Sequence, residues 1–486
     1  MKAKRAEFDK ETFDDVLAYC LEECRYMAEL ARKLIDAHFA AGLKLKSFYG
    51  AGSSASAMLD IMKIRDKVKD PPEEMLDGVY RAFFGGRFEH SVIGPIEGPI
   101  YSYDISSAYP YQLYFLPCLI HGTWHHTTNR NDIDHARAAV IRYSLGKPRL
   151  RSWAPFPFRT SDGAIAFPTR SGGGWVWKEE YLEGEALCPT TLFHEAWILE
   201  TTCDCRPFEK IPHYYRERLR IGKEGPGIAL KLGMNSCYGK LAQSVGNAPF
   251  NSWVWAGMIT SGTRAQILNT MRAHRVLSNL YMVATDGIQT KEHLSLGLPQ
   301  DTGTFDTPKP LGGWEEKIIE KGVFYARPGI YFPLNPTEQE IKEIKARGLG
   351  KGVLLEAWPK VVESWNNHRD SEQASIADVS RFCGAKSCVS RRGKLGSYVY
   401  RRADALDGKL PSYGQWVTRE IALSFHPMPK RESINDDNTL KLRKLGNVLS
   451  APYSKAVSRK SKEGQVMGRA KLELSEQPDY DYADYE

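Results

Sequence analysis

The sequence predicts an α+β chain, and three observations predict it. Residues 11–42 place Phe13, Val16, Leu17, Leu21, Met27, Leu30 and Leu34 at helical spacing, as one or two helices require. The middle of the chain holds short β-branched or aromatic runs between turn residues, among them PIYSYDI, AAVIRYSL and AIAFP. YMVATDGIQT, Tyr281 to Thr290, reads as strand, tight turn and strand, with Asp286-Gly287 in the turn.

The remaining elements follow in order. GAGSSASAM is a Gly/Ser-rich turn that leads into a second helical stretch, and FFGGRFE opens the strand-rich region. Glu179 to Leu199 reads as helix. His213 to Ala242 reads as helix with one break at GKEGPG, and the last hundred-odd residues mix helix with loop. No internal repeat is visible.

Composition narrows the class. A chain of 486 residues that is 42% hydrophobic, 26% charged and 11% aromatic is neither disordered nor fibrous, and its length suits two to four domains. No run of 18 apolar residues is present, and MKAKRAEFDKETFDD lacks the apolar core of a secretory signal. Nine cysteines without repeating spacing argue against a disulfide framework, so a reduced, cytoplasmic protein with no membrane partner is expected. Cys383 and Cys388, and the C-x-C of Cys203 and Cys205, lack a second Cys or His pair nearby. They read as core cysteines and not as zinc ligands.

The net charge of +7 is unevenly placed. Residues 381–471 hold 20 Lys and Arg against 7 Asp and Glu, residues 472–486 hold 6 acids and no base, and residues 1–380 balance. One basic region on a neutral body points to a polyanion, with a merely solubilising surface as the plain alternative. The tail PDYDYADYE reads as disordered.

Three segments carry chemistry. In YSYDISSAYP a strand ends in Asp104, where a carboxylate beside exposed amides suits a divalent cation bridging to phosphate; a capping Asp is the plain alternative. In KLGMNSCYGK, Lys231, Asn235 and Tyr238 share one helix face, and Arg216, Arg218, Arg220 and Lys223 lie upstream. Such a helical pair suits a triphosphate, or is a solvated basic surface. The third is the Asp286 hairpin, which in isolation reads as an ordinary Asp-Gly turn.

In this order the three resemble motifs A, B and C of family B DNA polymerases. Motif A, D-x-x-S-L-Y-P, corresponds to Asp104 to Pro110; motif B, K-x-x-x-N-S-x-Y-G, is matched in full by Lys231, Asn235, Ser236, Tyr238 and Gly239. Motif C, D-T-D-S, reads Ala284-Thr285-Asp286-Gly287. FFGGR (Phe83, Gly85, Gly86, Arg87) resembles the Y-x-G-G segment of protein-primed and related members. YCLEECRYM resembles the last exonuclease motif with Glu23 in place of Asp, and VFYARPGIYFP retains the Tyr331 end of a primer-contact strand.

The resemblance implies a right-hand polymerase with an antiparallel-sheet palm, helical fingers and a mixed basic thumb. The expected bounds are an N-terminal exonuclease remnant at 1–75, palm at 76–204 and 246–350, fingers at 205–245, thumb at 351–471 and an acidic tail at 472–486. It implies two Mg²⁺ ions, with Mn²⁺ able to substitute, held by Asp104, Asp286 and the Ile105 carbonyl. Lys231 would neutralise phosphate and protonate pyrophosphate. Ser107, Ala108, Tyr109, Asn235, Tyr238, Arg218 and Lys223 would bind the nucleotide, with Tyr109 excluding a 2′-OH. Phe83, Gly85, Gly86, Arg87, Tyr331, Lys345 and Arg347 would contact DNA. The implied partners are primer–template DNA and dNTPs, with a separate exonuclease subunit, a terminal protein or a processivity factor as further candidates.

Two departures shape the expectation. Ala284 replaces the first acid of motif C, so altered efficiency is expected, and a catalytically silent DNA-binding protein is the alternative; a protein-primed or primer-independent replicase is another. Only the last exonuclease motif is matched, so proofreading by this chain is not expected. Fifty-one positions between Asn235 and Asp286 leave little room for a DNA-clamping insertion. The 131 positions between Asp104 and Asn235 hold either an insertion or ordinary palm strands. Y-x-D-D, the reverse-transcriptase signature, is not matched by ATDG. A phage or mobile-element source, acting in the host cytoplasm or nucleoid, completes the expectation.

Overall fold

The computed structural model describes residues 13–46, 50–145, 153–159, 165–169, 171–222, 225–244, 248–274, 279–347, 350–368, 374–382, 416–423, 425, 431–433 and 448–452. Lys223, Cys383, Cys388, the acidic tail and most of the basic region lie outside them.

Helix α1 (Phe13–Ala40) is one continuous helix where the periodicity allowed two, followed by α2 (Ala51–Ile61) and α3 (Leu76–Arg81). Strands β1 (Phe88–His90), β2 (Val92–Glu97) and β3 (Ile100–Ile105) precede α4 (Ala108–Phe115). Next come β4 (Thr123–Thr127), α5 (Asp132–His135), β5 (Ala138–Leu145), β6 (Phe158–Arg159), β7 (Ile165–Ala166), β8 (Ser171–Trp177), α6 (Lys178–Leu187) and β9 (Thr191–Glu200). Helices α7 (Ile211–Ile221), α8 (Pro226–Leu241) and α9 (Trp253–Ala273) lead to β10 (Leu280–Ala284), β11 (Gly287–Thr290), β12 (Trp314–Ile319), β13 (Gly322–Arg327) and β14 (Ile330–Pro333). The last described elements are β15 (Lys345–Ala346), α10 (Lys351–His368), β16 (Ala374–Phe382), β17 (Trp416–Leu423), β18 (Glu432–Ser433) and β19 (Val448–Ala451).

The predicted helix at 179–199 is half wrong. It stops at Leu187 because Pro189 follows, and Thr191, Phe193, Trp197 and Ile198 then form β9. The break at GKEGPG separates α7 from α8, with Pro226 at the first turn of α8, where its missing N–H is harmless.

The chain divides into two compact units. The smaller takes residues 1–34, 344–425 and 478–486. Within it β16 and β17 pair antiparallel, and Trp365 of α10 meets Phe425 edge-on at 5.2 Å. The larger takes residues 35–343 and 426–477. It therefore includes residues 35–75 and strands β18 and β19, which the sequence reading assigns to the N-terminal remnant and to the basic domain.

The centre of the larger unit is an antiparallel sheet ordered β1-β10-β11-β3-β12. Strand alternation sends Tyr103, Ile105, Val283 and Ile288 into a core with Ile267, Leu268 and Met271 of α9. A second sheet contains β14-β13-β2-β19-β18, and Val92, Val323, Tyr325 and Tyr331 form a cluster with Ile100 and Met282 of the first. Among the described residues, the strands between motifs A and B lie outside the central sheet. This segment builds its own sheet, β4-β9-β5-β8, with its own core of Ile141, Tyr143, Phe156, Val176 and Tyr181.

Candidate active site

Asp104 and Asp286 come together through register. β11 pairs with β3 so that Gly287 stands opposite Asp104, and the Ile105 amide donates to the Asp286 carbonyl at 2.9 Å. One carboxylate thus sits on β3 and the other in the turn that opens the neighbouring β11, Asp104 on the face away from Tyr103 and Ile105. Thr285 turns the hairpin with φ +54°. Gly287 has a specific reason to be glycine: a Cβ there would lie 2.3 Å from Asp104 Oδ1. The space left by that missing atom is where the Asp104 carboxylate rests.

The other flank holds a residue that sequence reasoning missed. Glu315 of β12 stands directly opposite Asp104, forming the row Gly287, Asp104, Glu315. Burial pushes the Glu315 carboxyl up, but hydrogen bonds from Lys309 and Ser106 outweigh it and hold the group below the ordinary range. No motif marks it; in WEEK it is one of two adjacent acids, Glu315 and Glu316. Asp104 also acts on Tyr331, whose phenol is pushed well up first by burial and then by the carboxylates of Asp104 and Glu343.

The turn after Asp104 is rigidly built. The Ser106 amide donates to Gly313 O at 2.7 Å, the Gly312 amide donates to Ser106 O at 2.8 Å, and Ser107 takes φ +52° to start α4. Ala108 and Tyr109 therefore lie in the first turn of α4, where amide groups and helix dipole favour an anion. From α7, one turn apart, Tyr215 shares a 2.8 Å hydrogen bond with Ser106 Oγ and Arg218 donates to Ser107 Oγ at 2.9 Å. Arg216 instead pairs with Asp306, and Arg220 with Glu217 at 2.8 Å. Of these three arginines, Arg218 is the one joined to motif A.

Motif B meets motif A through aromatic rings. Tyr109 and Tyr238 lie 4.9 Å apart between centroids, with Tyr238 buried. Lys231 and Asn235 are exposed on α8.

FFGGR packs against its neighbours at both ends, with Gly85 and Gly86 half-buried between them. Phe83 is buried against Trp253 at 4.9 Å, and the carbonyls of Phe84 and Gly85 each accept from Arg264 at 2.7 Å. Arg264 also forms a buried pair with Glu180. Gly86 lies where a Cβ would meet Thr285 Cγ2 at 2.8 Å, and the Thr285 amide donates to Arg87 O at 2.7 Å, so the segment backs the motif C turn.

Arg87 corrects an expectation. It is 1% exposed, ion-paired with Glu89, and stacked over Phe167 at 4.0 Å, so its guanidinium is not available to DNA. Tyr331, 4% exposed, is likewise interior because β14 is covered by the core of the second sheet. Lys345 and Arg347 are exposed in the smaller unit.

The cysteine expectation is overturned at Cys203 and Cys205. Cys203 is half-buried and Cys205 exposed, and both thiols approach His121.

Comparison with known proteins adds a family. A family model described as DNA polymerase type B, organellar and viral, matches residues 1–250. No curated protein matches the sequence. Among solved structures, the chain is similar to an orthorhombic crystal form of Phi29 DNA polymerase, at 19% identity and TM-score 0.41, covering 58% of this chain and 55% of that one. It is similar also to Phi29 DNA polymerase complexed with primer–template DNA and incoming nucleotides, at 15% identity and TM-score 0.47, covering 80% and 69%. A family B polymerase from the archaeon Pyrobaculum calidifontis gives 13% identity and TM-score 0.29, covering 88% and 50%. The chain thus spans little more than half the length of the first of these.

Proposed function

Because the chain belongs to the type B DNA polymerases of organellar and viral kind, we propose that it is a template-directed DNA polymerase with Asp104 and Asp286 at its reaction centre. The observation that supports this reading is the register that sets Gly287 opposite Asp104 and so brings Asp286, in the turn just before Gly287, beside the end of the Asp104 strand. In this reading the five-stranded sheet is the palm, α7 and α8 are the fingers, and 351–471 supplies the thumb.

The donor set suits hard divalent cations: carboxylate oxygens, with space kept for one of them by a glycine. Asp104, Asp286 and the Ile105 carbonyl would hold two Mg²⁺ ions, with Mn²⁺ able to substitute. Bound there, the ions supply Lewis acidity to the primer 3′-OH and charge neutralisation to the triphosphate.

The chain's own residues do the rest. The first turn of α4, at Ser107 and Ala108, receives phosphate oxygens, and Arg218 fixes that turn while adding positive charge. Lys223 is the further cation proposed for the phosphates. Lys231 neutralises phosphate and delivers a proton to the departing pyrophosphate. Tyr109, braced by Tyr238, stands beneath the sugar and excludes a 2′-OH; Asn235 checks the nascent pair. Exposed Lys345 and Arg347 meet DNA phosphates without sequence preference. Phe83, Gly85 and Gly86 act on DNA only through the hairpin that they support.

The reading extends to synthesis without proofreading by this chain, since Glu23 alone matches an exonuclease acid, and its Oε1 accepts from Tyr19 at 2.5 Å. The partners are primer–template DNA and dNTPs. The separate β4-β9-β5-β8 sheet is the surface proposed for a terminal protein or processivity factor, and a separate exonuclease subunit would restore proofreading. The site of action is the host cytoplasm or nucleoid.

A second reading has its own observation. Ala284 supplies no carboxylate at the end of β10, so a silent DNA-binding protein remains the competitor. Extension of a 5′-labelled primer with Mg²⁺ and four dNTPs separates the two. The polymerase reading expects templated extension that falls by at least about a hundredfold in Asp286→Asn. DNA binding without extension in the wild type, or equal extension in the variant, would refute it.

A further inference from the structure

Apart from the two acids, four donors converge. Cys118 and His121 lie in the connection between α4 and β4, and Cys203 and Cys205 in the connection between β9 and α7. β4 and β9 pair antiparallel, with Thr123 opposite Glu200, so the two connections emerge side by side at the neck of the inserted sheet. His121 Nδ1 lies 3.6 Å from Cys118 Sγ, 3.2 Å from Cys203 Sγ and 3.7 Å from Cys205 Sγ. The donor atoms of Cys118, His121 and Cys203 all fall within 4.8 Å of one another.

We propose that Cys118, His121, Cys203 and Cys205 form a structural zinc site that clips the neck of the 123–200 insertion. A tetrahedral zinc ion with Zn–S of about 2.3 Å and Zn–N of about 2.0–2.1 Å has S···N edges of about 3.5 Å, which the three observed spacings bracket. Three soft thiolates and one imidazole select zinc over the hard cations of the carboxylate site. The sulfurs of Cys118 and Cys203, within 4.8 Å of each other and of the His121 ring nitrogen, are too close for a multi-iron cluster, whose ligands sit on different metal atoms, and Cys205 reaches the same nitrogen as the fourth donor.

The surroundings are those of thiolate ligands. The Cys205 amide donates to Cys203 Sγ at 3.2 Å, an N–H···S bond that steadies a negative sulfur. The Cys203 amide donates to Thr201 Oγ1 at 3.0 Å, and Thr201 Oγ1 donates to His121 O at 3.3 Å, so the two connections are already tied without the metal. With four protein ligands the site is closed, and its role is to hold the insertion, not to activate water.

The test reads metal and not activity, so it stands apart from the extension experiment. The full chain, purified without a polyhistidine tag under reducing conditions, should carry about one zinc ion per chain by elemental analysis. The Cys203→Ser/Cys205→Ser double variant should carry at least roughly tenfold less, whereas His121→Cys, which keeps four donors, should retain it. Because the double variant could fail to fold, metal-stripped wild type is titrated with Co²⁺ alone. Tetrahedral thiolate sites then give intense visible bands and a thiolate-to-cobalt charge-transfer band. Wild type without stoichiometric zinc and without those bands would overturn the proposal, as would mapping of a disulfide within the cluster under the same reducing conditions.

Discussion

Gly287 sets the geometry of the proposed reaction centre at the smallest scale. The absent Cβ gives Asp104 Oδ1 its place, and an added one would also press the Tyr103 carbonyl of β3 at 3.1 Å, so Gly287→Ala should displace the carboxylate chiefly and strain the β3–β11 pairing slightly. We expect primer extension to fall by roughly ten- to a hundredfold, the scale of a misplaced catalytic group, with the thermal midpoint nearly unchanged. An unaltered rate would show that Asp104 does not depend on that space. That the Asp104 and Asp286 segments are neighbours was foreseeable from the sequence, because the two motifs tie residue type to a position on the backbone. Glu315 was not, since only the pairing of β12 with β3 gives it meaning. His121 and Cys118 stayed hidden for the same reason: about eighty positions separate them from Cys203 and Cys205, and no local spacing bridges that distance.

Between elements, the junction of α7 and α8 sets the relation of Arg218 to Lys231. Gly227 sits where a Cβ would meet Gly222 O at 1.9 Å, a backbone contact that cannot yield as a side chain can. Gly227→Ala should therefore separate the two helices. We expect the KM for dNTPs to rise several-fold with affinity for primer–template unchanged, measured by steady-state extension and by equilibrium binding; equal losses in both would point to general misfolding. The two helices were readable from periodicity, and their break from GKEGPG. Helix α9 left no such signature: almost every residue from Val254 to Met271 is buried, so no polar stripe marks its outer face. β9 was misread because an acid-bearing run beside a true helix mimics helical composition until Pro189 is given its weight.

At the scale of the molecule, the larger unit is closed by a buried charged group drawn from both ends of the sequence. Glu89 pairs with Arg87 and, at 3.1 Å, with Arg431, whose guanidinium also lies over Trp153 at 4.6 Å. His90 is interior beside them. Burial, then the charge of Arg431, lower its pKa to about 3. The unfolded chain binds a proton near pH 6.5 and the folded chain does not, so this contribution is complete above pH 6.5 and is lost as pH falls toward about 3. His90→Phe removes that titration. Urea unfolding should show the variant gaining on wild type by about 1.4 kcal/mol per pH unit below 6.5, and parallel stability curves would contradict the burial of a neutral imidazole. None of this closure is visible in the sequence, where position 431 reads as one more cation in a basic region. It also has a consequence for biosynthesis. β2 waits for β19, paired through Val448 opposite Ile93, across roughly 350 residues, and at ribosomal speeds that is a delay on the order of 20–70 s. During it the edge of β2 has no β19 to cover it and Glu89 has no Arg431, so the nascent protein passes through a long interval with an open strand edge, the kind of surface that invites aggregation.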